Sequence, residues 1–312
     1  MVCRSNVKWG KEAFQMNGHH SVSTNIKALK ISAVLTFAFF FVEVIVALLT
    51  GSLSLLADAG HELSTVVAIS ISLIAGRLAL SKPTLKRTYG LLRAETLAAF
   101  INGLLLLGMA LFIIVNGINR LSNPIEMEAA PMLAVALGGI GLDVASLFIL
   151  YKGKKGNLNM RGSFWHVMND FLGTLAVIIA ALFIQFGQIY SVDTWAGLIF
   201  AIILIYAAYG IIKDSLMILV DATPTDINLT AVEKDLLGIN GVIDTHHLHA
   251  RTITGHIRTF SGHLVVKDME QSESVLGKAK QILSKKYQFA LSTIQIENEK
   301  LSEEDLKELE YK

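Results

Sequence analysis

Apolar residues gather in six runs, near 28–50, 53–76, 94–119, 130–151, 163–186 and 192–213. Each run is too long for an ordinary buried strand. Each reaches the roughly 20 residues that a helix needs to cross a bilayer's hydrocarbon core. In lipid, backbone groups must bond within their own segment, so the runs predict six transmembrane helices. A few residues around Gly51 separate the first two, which predicts a tight hairpin. From about Asp221 the pattern changes. LTAVEKDLLG (229–238) and SVLGKAKQILSKKY (274–287) carry apolar residues at helical spacing. HHLHARTIT (246–254) and IRTFSGHLVV (257–266) read as two strands turning around Gly255, and LSTIQIE (291–297) alternates like a third. The order αββαβ predicts a small α+β domain, ferredoxin- or metallochaperone-like, with helices on one face of a sheet. SEEDLKELEYK (302–312) reads as a charged helix or a disordered tail. The expected organisation is an N-terminal tail (1–27), a six-helix membrane domain (28–214), an α+β domain (221–298) and a charged tail (299–312).

Basic residues choose the orientation. The 2–3 loop holds Arg77, Lys82, Lys86, Arg87 and Arg93, and the 4–5 loop holds Lys152, Lys154, Lys155 and Arg161. The N-terminal segment adds Arg4, Lys8, Lys11, Lys27 and Lys30, whereas the alternate loops offer only Arg120. Both termini are therefore expected in the cytoplasm. The composition, 53% hydrophobic and 17% charged over 312 residues, fits a polytopic α-helical membrane protein. Residues 221–312 hold 15 acidic and 11 basic side chains, a net of −4, against +5 for the remainder. A total of +1 leaves no nucleic-acid footprint. The expected partner is membrane lipid, with the lysines of the 4–5 loop at anionic headgroups. The single cysteine, Cys3, excludes an internal disulfide or a cysteine zinc cluster. Residues 1–25 have no apolar core and do not read as a signal peptide. Short loops without targeting signals suit the cytoplasmic membrane of a prokaryotic cell.

Ionisable groups inside spans cost about 2.5–3.5 kcal/mol each on insertion scales and so need a reason. They are Glu43, Asp58, His61, Glu62, Asp143, His166 and Asp170. In SFWHVMND (163–170), His166 and Asp170 stand at i and i+4, on one helix face about 6 Å apart along the axis. Imidazole and carboxylate are good ligands for zinc and similar ions. A simple His–Asp hydrogen bond is the plainer alternative, but His61 on the second span gives convergence on one ion. Asp58, three residues before His61, reads first as an end-of-helix carboxylate in water and second as a fourth ligand. Glu62 points about 100° from His61, and mid-span Glu43 is expected to pair with another polar group.

Four stretches resemble the cation diffusion facilitators, a family of zinc and other divalent-cation transporters. They are GSLSLLADAGHELS (51–64), TYGLLRAETLAAFINGLLLL (88–107), SFWHVMNDFLGTLAVIIAAL (163–182) and HHLHARTITG with HLVV. The likeness covers roughly 25–300. It implies a transport site built from His-x-x-x-Asp on the second and fifth spans. His166 and Asp170 match fully; His61 matches, but Thr65 stands where the pattern has Asp. One ligand and one negative charge are thereby missing. A neighbouring carboxylate, Asp58 or Asp143, compensates; or three ligands and water hold the ion; or the chain does not transport alone. Asp143 enters because relatives often carry asparagine there. The resemblance also implies proton exchange, and protons do compete with metal for imidazole and carboxylate. Zinc, or another divalent cation, exported from the cytoplasm, is the expected cargo.

Five of the nine histidines lie in 246–263. Strand alternation places His247 and His249 on one face, and His263 sits on the neighbouring strand. By resemblance, His246, His263 and Glu297 match metal-binding positions of the family's cytoplasmic domain, with Gln295 where a histidine is expected. Solvated surface histidines are the alternative. The resemblance implies a homodimer through this domain. The competing function is a metal-responsive or hetero-oligomeric subunit without transport of its own. A phosphate loop, nucleophile elbow or catalytic carboxylate pair is not found, so an enzyme is not expected.

Overall fold

The computed structural model describes residues 26–79, 84–123, 125–153, 158–254 and 257–299. The tails, the Gly255 turn and the side chain of His166 lie outside the described residues. The chain divides into two compact units, Met1–Lys82 with Ala99–Ile212, and Pro83–Ala98 with Lys213–Lys312.

Six long helices build the first unit: α1 (Ile26–Thr50), α2 (Leu53–Ala79), α3 (Arg93–Ser122), α4 (Ala129–Gly153), α5 (Leu158–Gly187) and α6 (Ser191–Leu219). Among the described residues, three stretches are long and apolar enough to cross a membrane: Arg93–Ser122, Asp170–Gly187 and Ser191–Leu219. Phe37–Thr50 and Ala129–Ala145 are shorter apolar helices. Leu, Ile and Phe side chains point outward along them, as lipid-facing helices require. Small residues let the helices approach. Ala57 of α2, Ala110 of α3, and Ala201 and Ala208 of α6 share one buried cluster with Leu53, Leu106, Ile113 and Leu204. Ala47, Leu55, Leu56, Val135, Ala136 and Val177 join α1, α2, α4 and α5. Gly51, at φ 72°, turns α1 into α2, as the hairpin reading expects.

The second unit holds α7 (Leu229–Leu237), β1 (Val242–Thr254), β2 (Ile257–Val266), a 3₁₀ turn (Met269–Gln271), α8 (Ser272–Lys285) and β3 (Leu291–Glu297). The order αββαβ stands as expected. β1 and β2 pair antiparallel, and β3 joins β2 in parallel after the α8 crossover. Asn228 caps α7, its side chain accepting from the Ala231 N–H at 3.1 Å. Val232 and Leu236 of α7, and Val275, Ala279 and Leu283 of α8, cover Phe260, Leu264 and Val266 of β2. This unit also contains the start of α3: Arg93 and Arg251 both pair with Asp221, and Thr254 Oγ1 donates to Glu95 Oε2 at 2.7 Å.

At the surface of this unit, Lys286 and Tyr287 hydrogen-bond the Asp235 carboxylate. Lys286 first, then Tyr287, holds that carboxyl below the usual range. A depressed folded pKa gives stability that is present above the unfolded value, near 3.9, and lost as pH falls through the folded one. Asp235→Asn should therefore increase hydrogen exchange in α7 and around Tyr287 at pH 7, as read by mass spectrometry. The difference from wild type should close in acid.

Candidate metal centres

The first centre lies between α1, α2, α4 and α5. Periodicity sets Asp58 and His61 close together on α2, and α5 brings up Asp170. His61 Nε2 stands 3.1 Å from Asp170 Oδ1, with side chains 23% and 29% exposed, so both are shielded yet reachable. His166 is placed on α5, one turn before Asp170. Asp58 departs from the simpler sequence reading. It is buried, 7% exposed, not in water. Gly173 of α5 makes the space: a Cβ there would lie 3.0 Å from Asp58 Oδ1 and 2.9 Å from the Phe200 ring of α6. The His61 ring meets Phe200 edge-on.

Thr174 gathers the carboxylates. Its Oγ1 lies 3.1 Å from Asp143 Oδ2, 3.4 Å from Asp58 Oδ2 and 3.1 Å from the Asp170 carbonyl. Asp143 of α4 therefore does reach the centre, through Thr174. Glu43 of α1 is buried and hydrogen-bonds Glu62 of α2, the polar partner expected for it. The Thr65 hydroxyl turns back to the His61 carbonyl, at 3.4 Å. Five carboxylates and an imidazole thus meet in one shielded region. Buried charges need partners or a bound cation, and this donor set suits a borderline divalent ion.

The second centre lies on the sheet of the second unit. Register pairs His246 with His263, and His263 with Gln295, in a row across three strands. Glu297, 1% exposed, sits behind that row. Its Oε1 lies 2.6 Å from His263 Nδ1 and accepts from Gln295 Nε2 at 2.8 Å, while Oε2 lies 3.3 Å from His246 Nε2. A carboxylate against the second imidazole nitrogen fixes ring orientation at metal sites. The structure thus assembles His246, His263 and Glu297. It also adds His247, which strand alternation had placed beside His249.

A bulge makes the difference. Residues 247 and 248 intervene between the His246–His263 and His249–Ser261 pairs, opposite Gly262 alone. His247 takes φ 50°, a left-handed conformation that non-glycine residues rarely adopt. Its imidazole comes beside His246 and His263, with one ligand atom from each within 4.8 Å of the others. His249 is left exposed. The sequence signal for such a bulge is the run of four polar residues, Asp244 to His247, which breaks the alternation of the strand.

Residues 29–220 match the family model described as "Cation efflux transmembrane domain", and 224–299 match "Cation efflux protein, cytoplasmic domain". The chain is 36% identical over 289 residues to the "Cadmium, cobalt and zinc/H(+)-K(+) antiporter" of Bacillus subtilis, covering 91% of this chain and 93% of that protein. It is 33% identical over 290 residues to the "Zinc transporter ZitB" of Pectobacterium atrosepticum, covering 92% and 90%. The "Metal cation efflux system protein CzcD" of Cupriavidus metallidurans is 34% identical over 282 residues, covering 90% and 89%. Among solved structures, the metal-bound C-terminal domain of the CzcD transporter from that organism is 32% identical. It covers 23% of this chain and 99% of its own, at a TM-score of 0.22.

Proposed function

Because the chain belongs to the cation efflux family of integral membrane transporters, which move divalent cations, we propose that it exports zinc from the cytoplasm in exchange for protons. In this reading α1 to α6 are six membrane spans, residues 28–214, in the cell membrane. The N-terminal tail (1–27), the α+β domain (221–298) and the charged tail (299–312) are cytoplasmic. The α+β domain, ferredoxin- or metallochaperone-like, holds two copies of the chain together as a homodimer.

The contact of His61 Nε2 with Asp170 Oδ1 at 3.1 Å, between α2 and α5, carries the reading. His61, His166 and Asp170 hold the ion, and Asp58 supplies the carboxylate that Thr65 does not. Asp143 acts from beside it through Thr174. Each ligand that releases the ion is a base that takes up a proton, so metal and proton occupy the site in turn. His246, His247, His263 and Glu297 form a separate regulatory site for the same kind of ion. Three imidazoles and a carboxylate suit zinc, cadmium or cobalt better than magnesium or calcium.

The test is uptake of zinc, cadmium, cobalt, manganese and iron(II) into proteoliposomes under an imposed pH gradient, with Thr65→Asp beside the wild type. Wild-type uptake of zinc, dissipating the gradient, is expected. Thr65→Asp should shift the preference among the ions, since it returns a carboxylate one turn from His61. The turned-in Thr65 hydroxyl favours one second reading, a metal-responsive subunit without transport. Uptake restored only by Thr65→Asp would establish that reading in place of the first.

A further inference from the structure

A buried carboxylate outside the metal centre binds the first turn of α2 to α6. Asp193, in the first turn of α6, is 0% exposed. Its Oδ1 accepts from Ser52 Oγ at 2.6 Å, from Ser54 Oγ at 2.5 Å and from the Ser54 N–H at 3.2 Å. Its Oδ2 accepts from the Leu53 N–H at 2.7 Å. Ser52 and Ser54 are buried too. The unpaired N–H groups and positive end of a helix favour a carboxylate at this place. Here it comes not from the local N-cap but from a residue 140 positions away in the chain.

One turn along α6, the backbones touch. A Cβ on Gly197 would stand 2.8 Å from Leu53 Cβ and 2.9 Å from the Leu53 carbonyl carbon. Just before Leu53, Arg120 of α3 donates to the Gly51 carbonyl. The N-terminal end of α2 is thus held by side chains from two helices that supply no metal ligand. Asp58 and His61 follow on the same helix, within about three turns of the held end.

We propose that Asp193 is a positioning residue for the metal centre. It anchors the end of α2 to α6, and so sets the height and rotation of Asp58 and His61 against Asp170 of α5. The inference rests on reading His61 and Asp170 as metal ligands. A helix held by four hydrogen bonds and a backbone contact cannot slide or turn about its axis without breaking them. Breaking them strands a carboxylate away from water. Ligand geometry tolerates little displacement, so a small rotation at the anchor is felt at the ion.

Full-length protein provides the test, by zinc-binding calorimetry in detergent and initial rates of zinc uptake in proteoliposomes. The variants are Asp193→Asn, Ser54→Ala, Gly197→Ala and Gly210→Ala, with Asp170→Ala as reference. Asp193→Asn should raise both the KM for zinc and the Kd of the binding event that Asp170→Ala removes, on the order of 10–100-fold. The maximal rate per folded protein should change far less. Gly197→Ala pushes on Leu53 without removing a hydrogen bond, and should move KM and Kd in the same direction. Gly210→Ala, with nothing within 4 Å of the added methyl, should leave both unchanged. If Asp193→Asn does not fold, Ser54→Ala, which removes one donor, carries the same expectation with a smaller shift. Lower yield of folded protein with parental KM and Kd in every variant would reduce Asp193 to a purely structural cap and overturn the proposal. Parental zinc binding in Asp170→Ala would overturn the metal-site reading and the anchor with it. Loss of binding in Asp170→Ala alone, with parental values in Asp193→Asn and Gly197→Ala, would overturn the anchor only.

Discussion

Asp170→Ala is expected to abolish zinc transport while the protein still folds. Asp170 lies within 3.1 Å of His61 across two helices, so removing it takes away a ligand and the contact that orients the imidazole. Losing even an outer partner of a metal ligand costs about 10–100-fold in affinity, and a ligand that also carries the balancing charge costs more. Its backbone carbonyl would still accept from Thr174, and α5 would still hold its Val177, Ala181 and Ile184 packing, so helix assembly survives. Asp170→Asn keeps the shape and loses the charge, and should be nearly as inactive, because an amide is a poor zinc ligand. Zinc-sensitive fluorescence in proteoliposomes reads the rate. Wild-type uptake in the alanine variant would falsify the ligand assignment.

The second large effect is expected at Asp58. It is the more buried of the two carboxylates that could replace the ligand absent at Thr65, at 7% exposure against a partly buried Asp143. It shares α2 with His61, and Gly173 opens α5 to it. Asp58→Asn should therefore weaken zinc binding by about 100-fold, whereas Asp143→Asn, which acts through Thr174, should cost only severalfold. Calorimetry on the two variants ranks them. Equal losses would mean that both carboxylates ligate, and the reverse order would make Asp143 the replacement.

Much of this architecture is written in the chain as pattern. Long apolar runs predict helices because lipid offers the backbone no partner, and the observed helices start and stop within a few residues of them. The largest difference is the end of α6, which runs to Leu219 rather than 213: Lys213 and Asp214 carry the helix past the apolar limit that a hydropathy reading uses, and α5 likewise begins at Leu158 rather than 163. The burial of Asp58 is illegible for a different reason. Its burial depends on Gly173 and Phe200, residues over 100 positions away, and no local signal reports such a neighbour. His247 leaves the face that alternation predicts because period-2 alternation holds only where pairing is continuous, and a bulge breaks it. Asp193 carries no local signal of its role. A single carboxylate at a helix start reads as an ordinary first-turn residue, and its role appears only when α2 is packed against it.

The pairing of the C-terminal sheet also separates local from distant contacts. The β1–β2 hairpin is local, and its register sets His246 opposite His263. Glu297 arrives only on β3, whose parallel pairing with β2 requires α8 to have formed and crossed the sheet. In sequence separation, the pairing that joins the imidazoles is local and the one that adds the carboxylate is not. The contacts of Glu297 with His246 and His263 therefore wait for the last strand to pair.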